Sequence, residues 1–140
     1  MHDLSRHPHF EPWQDPETGV VSYLLKERVA PIQQTFYFTN PSVSRNEKWL
    51  WFYAGFPPNR QQTLGCLSLD PDRPWIRHFP QAGFSPASPM VAPEGDAAYF
   101  CMGNSVYRMT LDGTVTVVCT LRREYVQHRH FSRLATQLTL

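Results

Sequence analysis

The sequence contains no run approaching the roughly 18 apolar residues that would suggest a membrane-spanning helix. Its opening stretch, Met1–Phe10, is polar and rich in histidine and lacks the apolar segment that marks a secretion signal. Neither sign of charge dominates. Thirteen Lys and Arg stand against twelve Asp and Glu, a formal net charge of +1, which leaves no basic footprint for nucleic acid and no strong pull toward an anionic membrane. Cysteine is scarce and odd in number. Cys66, Cys101 and Cys119 form no C-x-x-C pair, which argues against a thiolate zinc site. Each lies in an apolar, strand-like run, so the expectation is three buried, reduced thiols in a reducing, cytoplasmic setting. A glycine-rich phosphate loop, G-x-S-x-G and H-E-x-x-H are all missing. So is a clear amphipathic helix. Leu121–Leu134 comes nearest, but Arg122-Arg123-Glu124 denies it a clean apolar face, and it reads as a long connection with at most one helical turn.

What is present is the grammar of an all-β chain. Hydrophobic residues at 41% against 18% charged are enough for a folded core and argue against disorder. Thirteen Pro and seven Gly fall mostly between apolar runs, as turn punctuation. Residues 1–14 read as a loose arm. Asp15-Pro16-Glu17-Thr18-Gly19 reads as a turn and Val20–Leu25 as a strand, placed where an N-terminal strand could close a ring, with no partner of its own in this chain. Thr35-Phe36-Tyr37-Phe38-Thr39 is the expected first inner strand, ended by Asn40-Pro41 because proline donates no ladder hydrogen bond. Arg45–Lys48 is a polar turn. Trp49–Ala54, apolar at every position, belongs in a sheet stacked between two others. Leu64–Leu69 and Ile76–Phe79 complete that unit. Asp112-Gly113, between Tyr107–Thr110 and Val115–Val118, is a strong hairpin signal.

The pattern repeats. Trp49-Leu50-Trp51-Phe52 is followed 48 positions later by Ala97-Ala98-Tyr99-Phe100, and Leu69-Asp70 is followed 42 positions later by Leu111-Asp112. Both spacings lie in the range of about 40–50 residues of a propeller blade. Thr136–Leu140 alternates like the strand that opens a third unit, in the place held earlier by Pro89-Met90-Val91 and Ser42-Val43. The expected architecture is a partial β-propeller of two four-stranded antiparallel blades plus the first strand of a third. Its divisions are an N-terminal arm and possible ring-closing strand over 1–30, a first blade over 31–81, a second over 82–125 and a third opening over 126–140.

Several segments together resemble the N-terminal part of the oligogalacturonate lyase family. They are Asp15-Pro16-Glu17-Thr18-Gly19-Val20, Gln34–Pro41, Trp49–Phe52, Ser105–Asp112 and Arg133–Leu140. The resemblance implies a seven-bladed intracellular propeller acting in pectin breakdown, of which these residues would be the first third. It implies β-elimination of short oligogalacturonides, in which a base removes the proton α to the uronate carboxylate and a divalent metal, manganese in the family, stabilises the growing charge. The metal ligands and base of the family lie in later blades, so the resemblance transfers no catalytic or metal residue to this chain, which is expected to be inactive alone and to bind no cofactor. The turn Asn46-Glu47-Lys48 departs from the family's Asp-Gly type, and Gln137 stands where a His would be expected.

The candidate substrate-binding residues are Gln33, Gln34 and Tyr37, at the start of an inner strand near the propeller axis, and Arg129 and Arg133, whose guanidinium groups suit a uronate carboxylate. Competing features read as structure. Trp49, Trp51 and Tyr53 alternate on one face as core. His128 and His130 lack a third ligand. His2, His7 and His9 belong to the expected floppy terminus, and Asp15, Glu17, Asp70 and Asp72 sit in turns. Expected partners are an oligogalacturonide and either further blades or other copies of the chain, with no nucleic acid and no membrane. The alternatives are a non-catalytic carbohydrate- or protein-binding propeller and a self-assembling partial propeller.

Overall fold

Residues 3–84 and 88–122 are described by the computed structural model. Their strands are β1 (Phe10–Gln14), β2 (Val21–Leu25), β3 (Ile32–Thr35), β4 (Trp49–Gly55), β5 (Gln62–Ser68), β6 (Ile76–Phe84), β7 (Met90–Val91), β8 (Ala97–Met102), β9 (Ser105–Thr110) and β10 (Val115–Thr120). They form an antiparallel ribbon β1–β2 and two four-stranded antiparallel sheets, ordered β3-β4-β5-β6 and β7-β8-β9-β10. Among the described residues no helix is long and apolar enough to cross a membrane. The expected opening of a third blade over 126–140 lies outside the described residues.

The continuous apolar character of β4 explains the layering. Its odd residues point one way and its even residues the other. Trp51, with Leu64, Cys66, Phe79 and Phe84, packs against Ala98, Phe100 and Met109 of the second sheet, making one core between the blades. Phe52, with Leu67 and Leu69, packs on the opposite face against Phe10, Leu4 and Leu25 of the N-terminal segment. The first blade is thus covered on both sides. Gly65 lies opposite Phe52 in the β4–β5 ladder, where a Cβ would come within 2.2 Å of the Phe52 ring, so only glycine lets that ring lie flat on its neighbour.

The N-terminal residues differ from expectation. Residues 10–14 are no loose arm but pair in register with β2, from Phe10↔Leu25 to Gln14↔Val21, so the expected unpartnered ring-closing strand has a partner. The turn Asp15–Gly19 joins them. The Asp15 carboxylate accepts hydrogen bonds from the amides of Glu17 and Thr18, and Gly19 takes a positive φ of 71°. His7 is not floppy either. It is buried, with Nε2 2.9 Å from the Ser68 carbonyl oxygen at the end of β5, and its Nδ1 accepts from the His9 amide. That contact fixes the segment to the blade edge.

The two blades superimpose their grammar at the predicted spacing of 48. Val43 bridges Leu50 as Val91 pairs Ala98. The Ser44 and Ala92 amides donate to Trp49 and Ala97, each at 2.9 Å, and Glu47 and Gly95 donate to Ser44 and Ala92, each at 2.8 Å. Glu47 and Gly95 both adopt positive φ, 56° and 84°, so the polar turn of the first blade keeps the glycine geometry without the glycine. The offset falls to 42 at Leu69 and Leu111 because the β4–β5 loop spans residues 56–61 whereas the β8–β9 loop spans only 103–104 and the strands beside it are shorter.

The inner strand of the first blade departs from the predicted Thr35–Thr39. β3 pairs Ile32↔Gly55 through Thr35↔Phe52, and pairing resumes only at Val43↔Leu50. Residues 36–41 leave the ladder between them. Phe36 enters the core, while Tyr37 and Phe38 turn outward. The excursion is tied to the second blade: the Tyr37 amide donates to Ser88 Oγ at 3.1 Å, and Asn40 Nδ2 donates to the Ser88 and Pro89 carbonyls. β6 also runs further than predicted, to Phe84. It crosses Pro80 by a bulge, the ladder passing from Thr63↔Gly83 to Leu64↔Phe79. The hairpin over Asp112-Gly113 is as predicted, with the Asp112 carboxylate accepting from the Thr114 amide and from the Thr110 hydroxyl. Cys66 and Cys101 are buried thiols, but Cys119 is exposed, against expectation, because β10 is the outermost strand of its sheet.

Two outcomes follow. Gly65→Ala forces the buried Phe52 ring to move and costs about 1–3 kcal/mol, read as a lowered thermal midpoint; an unchanged midpoint contradicts the packing. The Asp15 carboxyl is held below its ordinary value by the Glu17 and Thr18 amides. A lowered folded value means stabilisation that is complete above the ordinary pKa of about 3.9 and lost as pH falls through the folded value. Protection of the Glu17 and Thr18 amides, their exchange taken relative to the intrinsic rate at each pH, should therefore fall only in that acid range; protection already lost near neutral pH contradicts the assignment.

Candidate functional site

Between the N-terminal ribbon and the start of the first blade lies an open cavity of about 220 Å³. Its lining comes from three directions: Phe10, Tyr23 and Leu25 from the ribbon, Arg28 from the connection after it, and Gln33, Gln34 and Thr35 from β3, over Leu50 and Phe52 of β4. Phe10 and Phe52 are buried, so the floor is apolar, while Tyr23, Arg28, Gln34 and Thr35 are exposed at the rim. The ribbon makes this cavity: without Phe10 and Leu25 seated on Phe52, β3 would have no facing wall.

The predicted site residues separate by role. Gln33 is engaged in structure. Its Oε1 accepts from the Val29 amide at 3.1 Å and its Nε2 donates to the Glu27 carbonyl at 3.3 Å, so it braces the chain that carries Arg28. Gln34 is exposed in the cavity rim, and among the described residues its amide has no hydrogen-bond partner. Tyr37 lies outside the cavity, on the 36–41 excursion, 52% exposed, with its ring 4.4 Å from that of Phe38. Phe38 is 84% exposed, a high value for an aromatic side chain, and it was not singled out from sequence. Arg28 was also missed, because nothing in its local pattern distinguishes it from any surface arginine; its place at the cavity comes from tertiary packing alone. Arg129 and Arg133 lie outside the described residues, as do His128, His130 and Gln137.

The competing features are structural where they are described. Trp51 is fully buried and donates from Nε1 to the Gly95 carbonyl at 3.3 Å, and Trp49 packs on Trp75. Asp15 and Asp70 accept turn amides. Burial pushes the Cys66 thiol up, and the Cys101 thiol to about 11, so neither is poised as a nucleophile. Among the described residues no group of three or more His, Cys, Asp or Glu comes together to hold a metal ion. The described residues therefore do not fit a manganese centre.

No family model and no curated protein matches the sequence. Among solved structures, the fold matches that of the oligogalacturonate lyase from Vibrio parahaemolyticus with a TM-score of 0.62 and 19% identity, over 82% of this chain and 30% of that chain. It also matches an oligogalacturonate lyase in complex with manganese, with a TM-score of 0.59 and 21% identity, again over 82% of this chain and 30% of that chain. The chain thus spans less than a third of the length of either enzyme. The likeness is one of fold: the two stacked sheets are arranged as parts of those lyase structures are, in agreement with the partial propeller read from the sequence.

Gln33→Ala removes two hydrogen bonds and costs about 1–3 kcal/mol, read by urea denaturation, whereas Gln34→Ala leaves the denaturation midpoint where it was. Equal losses from both would contradict the division between a bracing and a free amide.

Proposed function

We propose that the chain forms the first two blades of a propeller of the oligogalacturonate lyase type, and that its inner edge contacts the acidic oligosaccharide on which such a lyase acts. The observation that carries this reading is the stacking of two blades in the arrangement found in the lyase structures, with Gln34 left open on the inner edge strand of the first blade and Tyr37 on the excursion that follows it. Amide and phenol groups suit uronate hydroxyls and carboxylates, and an exposed ring beside them gives a sugar face something to lie on. In this reading Gln34 and Tyr37 are contact residues, Gln33 supports them, and Arg129 and Arg133 add carboxylate partners. In this reading the base and the metal ligands belong to later blades, as the family resemblance implies, and the 140-residue chain binds oligogalacturonide without cleaving it. The buried thiols of Cys66 and Cys101, neither in a disulfide, support a reducing, cytoplasmic setting.

One observation favours a second reading, in which another copy of the chain covers the second blade. β10 is an edge strand with Val117 59% exposed and Val118 and Cys119 also open, which is a pairing surface as it stands.

Titration of the isotope-labelled chain with trigalacturonate, followed by amide shifts, tests the first reading. Saturable shifts at Gln34 and Tyr37, with no growth of unsaturated-uronate absorbance with or without manganese, are expected. Equal shifts from a neutral trisaccharide would turn the reading into a general sugar-binding module, and manganese-dependent absorbance growth would overturn the predicted inactivity. Light scattering decides the second reading, which requires a uniform oligomer that Val117→Lys dissociates; a monomer at all concentrations removes it.

A further inference from the structure

We infer that the cavity beneath the N-terminal ribbon is a binding site for a single sugar acid, with Arg28 as its carboxylate partner. The sugar part of this inference rests on the oligogalacturonide reading; the carboxylate part rests on the cavity itself. Among the described residues no carboxylate or carbonyl pairs with Arg28, although Glu27 is its neighbour in sequence; the Glu27 carboxylate lies instead 3.8 Å from His9 Nδ1. A guanidinium presents five donors in a planar fork matched to a carboxylate, so an unpaired arginine at the mouth of a concave site suits an anionic ligand.

The remaining lining defines what the carboxylate is attached to. Phe10, Leu25, Leu50 and Phe52 make an apolar floor, and Tyr23 and Thr35, the latter opposite Phe52 in the β3–β4 ladder, edge it with hydroxyl groups that make no hydrogen bond of their own among the described residues. A pyranose has this same division, with an apolar C–H face and hydroxyls around its edge. An apolar floor with a few convergent polar groups is the usual form of a small-molecule site. The volume limits the ligand. About 220 Å³ falls below the roughly 300 Å³ at which sites for drug-sized ligands begin, so the cavity has room for one ring, and anything longer would extend through its open mouth. Gln33, through its bonds to Glu27 and Val29, fixes the chain from which Arg28 projects and is a positioning residue here.

The test uses the full 140-residue chain and three probes, galacturonate, galactose and benzoate, with amide and side-chain shifts as the readout. Galacturonate should shift Tyr23, Arg28 and Thr35 in a saturable way. Arg28→Gln should weaken it about tenfold or more, the value of a charge-assisted pair, and Tyr23→Phe should weaken it less; unperturbed shifts of Trp51 and Phe100 in both variants show that the fold is intact. Galactose should bind at least tenfold more weakly than galacturonate. Galactose equal to galacturonate, or Arg28→Gln without effect, overturns the assignment. Benzoate binding as tightly as galacturonate overturns the sugar part. If trigalacturonate shifts Tyr37 while galacturonate leaves Tyr23 and Arg28 unmoved, this inference fails and the oligogalacturonide reading survives.

Discussion

A sheet that is apolar on both faces needs a neighbour on each, and the rest of this structure answers to that demand. β4 is the case in point: Trp51 on one side and Phe52 on the other are both removed from water. Burial of side chains of that size contributes about 2–3 kcal/mol each, and a single sheet with either face bare would forfeit that share. The second blade covers the Trp51 face and the N-terminal ribbon covers the Phe52 face. The ribbon is therefore a structural layer, and the cavity beside it is a by-product of how it seats: Phe10 and Leu25 fill one part of the Phe52 face and leave a polar-rimmed hollow over the remainder.

Apolar contact alone would let two blades slide. Side chains of the first blade and its inner loop hold their positions by bonding to backbone of the second at three levels. At the inner edge, Asn40 binds the Ser88 and Pro89 carbonyls. At the turns, Asn46 Nδ2 donates to Glu94 and Trp51 Nε1 to Gly95. At the outer strand, Arg77 donates to Leu111 and Gln81 to Gly113. Side chain-to-backbone bonds fix the register between sheets while the apolar core supplies the driving force. Close approach at the turns requires Gly95, where a Cβ would lie 2.6 Å from that of Ser44.

Local chemistry was legible in the sequence, and long-range pairing was not. The Asp112-Gly113 hairpin, the Asp15–Gly19 turn and the doubly apolar β4 were readable because turn geometry and two-residue alternation are written in adjacent residues. The 48-residue spacing carried the blade repeat. β1 was missed because Phe10-Glu11-Pro12-Trp13-Gln14 buries only Phe10, so its alternation is too weak to see; its partner and His7's bond to Ser68 become visible only in the fold. The aromatic content of Phe36-Tyr37-Phe38 reads as a strand, yet its rings go to core and to solvent, with Asn40-Pro41 as the local hint of an excursion. At the candidate site Gln34 was legible from its place on an inner strand. Arg28 was not, since what distinguishes it is the company brought by three separate elements.

The central claim is that two blades and a covering ribbon form one packed stack. Nuclear Overhauser contacts in the labelled chain test it most directly. The account predicts contacts from the Trp51 indole N–H to Gly95 across the blades, together with contacts from the Phe10 ring to Phe52 or Leu67 across the ribbon. Strand-pairing contacts within each sheet but none across either interface would contradict it.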